Sequence, residues 1–282
     1  MNRKVCFVLL FCSCFVFSFG QSAYKLKQQA LKSFERQSYK SSLNKFLKAK
    51  ALGDTLIGLK YKIGVCYVAL GDYDNANKYF AQLENFMVFD RENAEGNYFG
   101  TRSSHCFPDA LDEIADIAEI NFVKRNYKIT INCSKYLCSY NFVDDYGYTR
   151  IVETFYTTRK YDKCIAYCEL ALKNIERFSL QPDVDCFLSY IGLCYVRMKN
   201  HVVAITYFDK IINDINISDK RKSAAYTNKI SCLIEMKHYS EAIRIAEEGK
   251  LSADYFTKDR RFFKRKKRES RRNLRYQEKH SK

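Results

Sequence analysis

The chain has 282 residues, 47% of them hydrophobic, so a packed core can form and global disorder is excluded. Only 2 Pro and 10 Gly stand against 22 Tyr and 21 Phe, too few breakers for a many-turned β-sandwich, so long helices are expected. The net charge of +16 is uneven: residues 258–282 hold 13 basic and 3 acidic side chains, and the rest of the chain is only modestly basic.

At the amino terminus, Arg3 and Lys4 precede an apolar run of 15 residues from Val5 to Phe19. A bilayer-spanning helix needs about 20 residues, whereas the core of a secretory signal has this length. Ser18 and Gly20 supply the small side chains of a cleavage site before Gln21. Residues 1–20 are therefore read as a signal peptide and the mature chain as extracytoplasmic, periplasmic or secreted. A buried first helix and an uncleaved N-terminal anchor are the competing readings. A lipoprotein reading at Cys14 fits poorly, because Phe11 stands where Leu is expected and more apolar residues follow. Of the 12 cysteines, Cys6, Cys12 and Cys14 leave with the signal, and no CxxC pair occurs among the rest. Buried core thiols are expected rather than a disulfide framework.

Beyond the signal the chain repeats itself. Ile63–Phe80 reads IGVCYVALGDYDNANKYF and Ile191–Phe208 reads IGLCYVRMKNHVVAITYF, identical at 8 of 18 positions. At the spacing these two set, a ring recurs before each second helix: Tyr39, Tyr73, Tyr127, Tyr161, His201 and Tyr239. Three residues after each ring comes a small or fairly small one: Ser42, Ala76, Thr130, Cys164, Ala204 and Ala242. This is a helix-turn-helix unit in about six copies. Gly64 and Gly192 fall mid-helix, where a side chain would hold the two helices apart, and Ala30 and Ala118 are near-equivalents. Gly71 is expected to end one helix and Asp72 to cap the next. Phe80 and Phe208 are expected to fill the groove between repeats, and the β-branch of Thr130 to loosen the third pair. The 54-residue step between Ala76 and Thr130 implies an inserted loop near 87–108. Pro182 is expected to start the first helix of the fifth pair.

The Gly-x-x-Tyr…Gly-Asp-Tyr…Ala…Phe pattern and its 34-residue step resemble the tetratricopeptide repeat family. The match is best over 57–86, good over 184–213 and 222–250, and weaker over 23–52, 111–140 and 145–175. The family's Trp position holds Lys60, Leu188 and Tyr226, and no Pro closes the repeats. The resemblance implies an all-α fold, a right-handed α-α superhelix of about six helix pairs over 21–250, presenting a groove to a protein partner. Carried over position by position, the groove row includes Tyr24, Lys27, Tyr61, Val65, Asp112, Glu119, Phe122, Tyr146, Arg150, Glu153, Tyr156, Ser189, Arg197 and Glu235. Lys27 is followed by Leu31, so the family's carboxylate-clamp pairing of Lys with Asn is not matched.

Residues 251–282 form a basic tail. Arg260, Arg261, Lys264, Arg265, Lys266, Lys267, Arg268, Arg271, Arg272 and Arg275 are candidate polyanion ligands, binding by counterion release. If the segment turned helical on a surface, Phe262, Phe263, Leu274 and Tyr276 would add apolar contact; the bland alternative is a solvated end. Export argues for an anionic membrane surface or envelope polymer and against nucleic acid.

Chemistry is weakly signalled. No HExxH, GxSxG, Walker loop or GxGxxG occurs. The carboxylates Asp112, Glu113, Asp116, Asp144 and Asp145 lie near helix starts, where the dipole accounts for them. No cofactor or metal is implied. The expected function is a non-catalytic, exported interaction scaffold. A polyanion- or membrane-surface-binding protein acting through the tail is the rival, and an enzyme at the 87–108 insertion, using His105 or a nearby carboxylate, is the third reading.

Overall fold

The computed structural model describes residues 21–54, 57–92, 107–139, 146–174, 184–252 and 257–280. The signal segment 1–20, most of the expected insertion with His105, and Asp144, Asp145 and Pro182 lie outside the described residues. The chain divides into two compact units, Met1–Phe142 and Val143–Lys282. Among the described residues every element is a helix or a turn.

The first unit contains α1 over 21–35, α2 (Tyr39–Ala51), α3 (Ile57–Leu70), α4 (Tyr73–Glu92), α5 (Phe107–Val123) and α6 (Tyr127–Ser139). The second contains α7 (Tyr146–Thr157), α8 (Tyr161–Lys173), α9 (Val184–Arg197), α10 (His201–Asn213), α11 (Asp219–Glu235), α12 (Tyr239–Ser252) and α13 (Thr257–His280). Each of the six marker rings is the first residue of the second helix of a pair. The expected insertion near 87–108 begins as helix, because α4 continues to Glu92, and α5 starts at Phe107.

Close approach of the paired helices explains the small residues. A Cβ on Gly64 would come 2.5 Å from Phe80 Cε1, and one on Gly192 would come 2.6 Å from Phe208 Cε1. The two phenylalanines therefore lie over their own partner helix. They also reach the next pair: Phe80 is 6.1 Å from the Tyr136 ring, and Phe208 packs with Ala225 and Cys232 of α11. The expected inter-repeat role is thus only half of what they do. Three of the other small positions tie their paired helices together by a side-chain hydrogen bond. Ser42 Oγ donates to the Ala30 carbonyl at 2.8 Å, Thr130 Oγ1 to Ala118 at 3.3 Å and Cys164 Sγ to Val152 at 3.5 Å. Each acceptor lies 12 residues back, where Gly64 and Gly192 stand in their own pairs. Thr130 is fully buried, and its hydroxyl bridges the two helices of the third pair.

The turns share one geometry despite unlike sequences. Two residues before each marker ring the backbone turns left-handed, at Gln37 (φ 59°), Gly71 (84°), Arg125 (61°), Arg159 (58°), Lys199 (63°) and Lys237 (63°). The following N–H then closes the helix end, as Asp72 N–H does on the Tyr67 carbonyl (2.9 Å) and Asn200 N–H on Tyr195 (2.9 Å). As expected, Asp72 caps α4, its Oδ1 accepting from Asn75 N–H at 3.2 Å.

In the second unit each helix packs on the next through α13. The first helices also meet along one side, α7 on α9 and α9 on α11. In the first unit α3 is central and touches α2, α4, α5 and α6. The basic tail is itself a helix: α13 lies on α12, with Phe263 and Ser270 fully buried. Phe263 approaches Gly249, where a Cβ would lie 3.0 Å from its ring. It is therefore not available for membrane insertion.

Candidate binding walls

In the second unit, α7 carries Tyr146, Arg150, Glu153 and Tyr156 at intervals that bring all four to one face. Arg150 Nη1 donates to Glu153 Oε2 at 2.6 Å, and its guanidinium lies 5.7 Å from the centre of the Tyr146 ring. Tyr190 of α9 sets its ring edge-on to Tyr156, centroids 5.5 Å apart, and its hydroxyl donates to Glu153 Oε1 at 3.4 Å. Arg197 Nε donates to the Tyr156 hydroxyl at 3.2 Å. Burial, and then the Glu153 carboxylate, push the Tyr190 phenol well above its ordinary range. Tyr190 thus stays a hydrogen-bond donor at any ordinary pH. A half-buried surface ion pair such as Arg150–Glu153 adds only about 1 kcal/mol to stability. The consequence here is geometric: two arginines and three tyrosines are held in place before any ligand arrives, which lowers the entropy cost of binding.

Along the same wall, Arg221 Nη1 of α11 donates to Asp185 Oδ1 of α9 at 2.8 Å. Ser189 is half-buried and Glu235 is exposed near the end of α11.

In the first unit, Lys62 of α3 pairs with Glu113 of α5. Its ammonium lies 4.5 Å from the Phe34 ring centre. Beside this pair is a cavity of about 330 Å³, lined by Phe34, Tyr39, Lys62, Glu113, Asp116 and Ile117 among others. Tyr24 is exposed, Lys27 makes a 3.9 Å ion pair with Asp54, and Glu119 and Phe122 are half-buried. Tyr61 and Val65 are packed away, 4% and 0% exposed, so neither presents a surface to a ligand, a correction to the expected row.

The missed residues are Phe34, Lys62, Glu113 and Tyr190. Three of them follow by one position a residue that the family register puts on this face: Lys62 after Tyr61, Glu113 after Asp112, Tyr190 after Ser189. Side chains on a helix lean toward its N-terminus, so the residue covering a given spot lies about one place further along the chain. Applying that lean to the family register would have found them.

On α13, Arg261, Lys264, Arg265, Arg268, Arg271, Arg272 and Arg275 are exposed. Lys266 and Lys267 are half-buried and paired, Lys266 with Glu269 at 3.0 Å and Lys267 with Glu247 of α12. Arg260 lies in the first turn of the helix. Among the described residues no group of His, Cys, Asp and Glu is placed to hold a metal ion. Among the described residues, Cys66, Cys133, Cys138, Cys164, Cys168, Cys194 and Cys232 carry free thiols.

The model of the tetratricopeptide repeat matches residues 59–86, the body of α3 and the first part of α4. Over that stretch the α3–α4 pair is similar to a tetratricopeptide repeat. Its Gly64, Tyr67, Tyr79 and Phe80 recur as Gly192, Tyr195, Tyr207 and Phe208 of α9–α10. The stacked tyrosines of both repeats stand 5.8 Å apart. Among solved structures, the chain is similar to the TPR2AB domain of yeast Sti1, determined as its pHSP90 complex. Identity is 15% and the TM-score 0.35, over 89% of this chain and 99% of that one. It is also similar to the C-terminal part of a TPR repeat-containing protein from Cytophaga hutchinsonii, with 16% identity and a TM-score of 0.38 over 88% and 93% of the two chains. The TPR domain of P58(IPK) matches with 11% identity and a TM-score of 0.36, over 92% and 67%. No curated protein matches the sequence.

Proposed function

We propose that this chain is a non-catalytic interaction scaffold, exported from the cytoplasm, which holds a partner peptide or helix against the walls of its first helices. The observation that carries the reading is the network of Tyr146, Arg150, Glu153, Tyr156, Tyr190 and Arg197 across α7 and α9. Tyrosine and arginine in fixed positions are the side chains that most often anchor protein interfaces. Arg197, held by the Tyr156 hydroxyl rather than by a carboxylate, suits a partner that brings an acidic side chain to it and an apolar one to the tyrosine edges. Export rests on Arg3, Lys4 and the apolar run from Val5 to Phe19.

The experiment is affinity capture from the organism's own envelope fraction, using the natural chain and a Tyr156→Ala/Arg197→Ala variant. The reading expects one protein retained by the former and lost from the latter. Equal retention by both would remove the wall from the account. Export is tested by sequencing the amino terminus of the mature chain: a start at Gln21 supports it, and an intact Met1 on a cytoplasmic protein contradicts it.

A second reading is favoured by a separate observation, the exposed basic side chains of α13, which suit a polyanionic or membrane surface.

A further inference from the structure

Along α13, Arg261, Arg265, Arg268, Arg272 and Arg275 succeed one another at alternating steps of four and three residues. That period keeps all five on one stripe of a helix. At about 100° per residue, the stripe lies opposite Phe263 and Ser270, which are fully buried against α12. At about 1.5 Å per residue the row is roughly 21 Å long. Every member is exposed. Glu269, which lies beside the row, pairs with Lys266 at 3.0 Å.

The docked side determines what the row can do. With Phe263 enclosed, the docked face of the helix is withheld from hydrocarbon, and the exposed row offers headgroup contact. Arginine presents a planar fork to phosphate oxygens, and five such forks in line on a fixed helix meet a flat array of phosphates without first being ordered. Beside the row, between α12 and α13, is a cleft of about 230 Å³ lined by Lys264, Lys267, Arg268, Arg271 and Glu247 among others. It has the size and charge for a single phosphate headgroup. Two observations favour lipid over nucleic acid. Among the described side chains no ring stands on the row for bases to stack upon; Tyr276, at its edge, is stacked on its own His280 with centroids 4.1 Å apart. The apolar run from Val5 to Phe19 also directs the chain to a membrane.

We infer that α13 is a docking surface for a membrane rich in anionic phospholipid, held by headgroup phosphates along its arginine row. This rests on the second reading above and deepens it, and it stands or falls separately from the scaffold reading. The test is partition of the full chain onto vesicles of phosphatidylglycerol with phosphatidylcholine, against vesicles of phosphatidylcholine alone. The neutral vesicles measure whatever the Val5–Phe19 run contributes. Each arginine near a charged surface is worth about fivefold in affinity, so the Arg268→Gln/Arg272→Gln/Arg275→Gln variant should bind anionic vesicles roughly 100-fold more weakly. Its thermal midpoint should not change, because Phe263 and Ser270 are untouched. The corresponding triple Lys variant should keep most of the binding, and salt should abolish the anionic preference. Equal partition of natural and Gln chains, or equal partition onto both vesicle types, would overturn the proposal. So would tighter binding of a single- or double-stranded oligonucleotide at the same salt concentration.

Discussion

Phe208 lies so close over the backbone of Gly192 that a methyl group there would stand 2.6 Å from its ring. The ring cannot yield, since it is itself fully buried among Leu188, Ile211 and Ala225. Replacing Gly192 with Ala therefore sets two effects against each other. Helix propensity favours Ala by about 1 kcal/mol, while overpacking a dense core costs about 1–3 kcal/mol. The second prevails, and Gly192→Ala should lower unfolding free energy by about 1 kcal/mol in denaturant titration. Gly64→Ala, facing Phe80 at 2.5 Å, should behave alike.

The left-handed turn residues give the opposite sign. Lys199 and Lys237 hold φ of 63°, a conformation that costs a residue bearing Cβ about 1 kcal/mol. Glycine removes that strain but enlarges the unfolded ensemble. Each Lys→Gly change should therefore stabilise by about 0.5 kcal/mol. Gly71→Ala should destabilise by about 1 kcal/mol, the more so because Asn132 lies 3.0 Å from where its Cβ would stand. Thermal melts of the three variants check this ordering.

The buried thiols impose an alkaline limit. Burial pushes Cys66 and Cys138 up to about 12, and Cys232 up to about 11, from an ordinary value of 9.0. Above pH 9 the unfolded chain releases protons that the folded chain keeps, so unfolding gains free energy as pH rises. The stabilising contribution is complete below pH 9 and is lost progressively between pH 9 and about 12. Melting temperature measured across that window should fall steadily. At pH 8 the fully buried Cys133 and Cys164 should react with a thiol reagent only as the chain opens, so their labelling rate should track denaturant concentration.

Phe263 is the anchor of the basic helix. Phe263→Ala removes a fully buried ring between Gly249 and Tyr226, a change that ordinarily costs about 3–5 kcal/mol. The penalty should fall on α13. Trypsin should then clip within 258–279 while the helices from α7 to α11 stay intact, as read by mass spectrometry of the products.

The repeating hairpin was legible because its constraints are chemical identities. Only glycine fits under Phe80 and Phe208, and a tyrosine or histidine opens every second helix. Other constraints left no such mark. Arg125, Arg159, Lys199 and Lys237 adopt the same left-handed turn as Gly71, yet nothing in a lysine or arginine announces a positive φ. The hydrogen bonds from Ser42, Thr130 and Cys164 use side chains that read simply as small or β-branched. In α13 the docked face is Phe263 and Ser270 set among charges, so the charge was visible and the docking was not. On the binding walls, α7 showed its residues directly. Lys62, Glu113 and Tyr190 were hidden by the one-residue lean of helical side chains.

The central claim is that the α7–α9 wall is where a protein partner sits. Photo-crosslinking tests it most directly, with a reactive amino acid placed at Ser189, beside Tyr190, and in a second chain at Lys163 on the exposed side of α8. The account predicts an adduct with one discrete protein from position 189 and none from position 163. An adduct from 163 alone, or equal adducts from both, would contradict it.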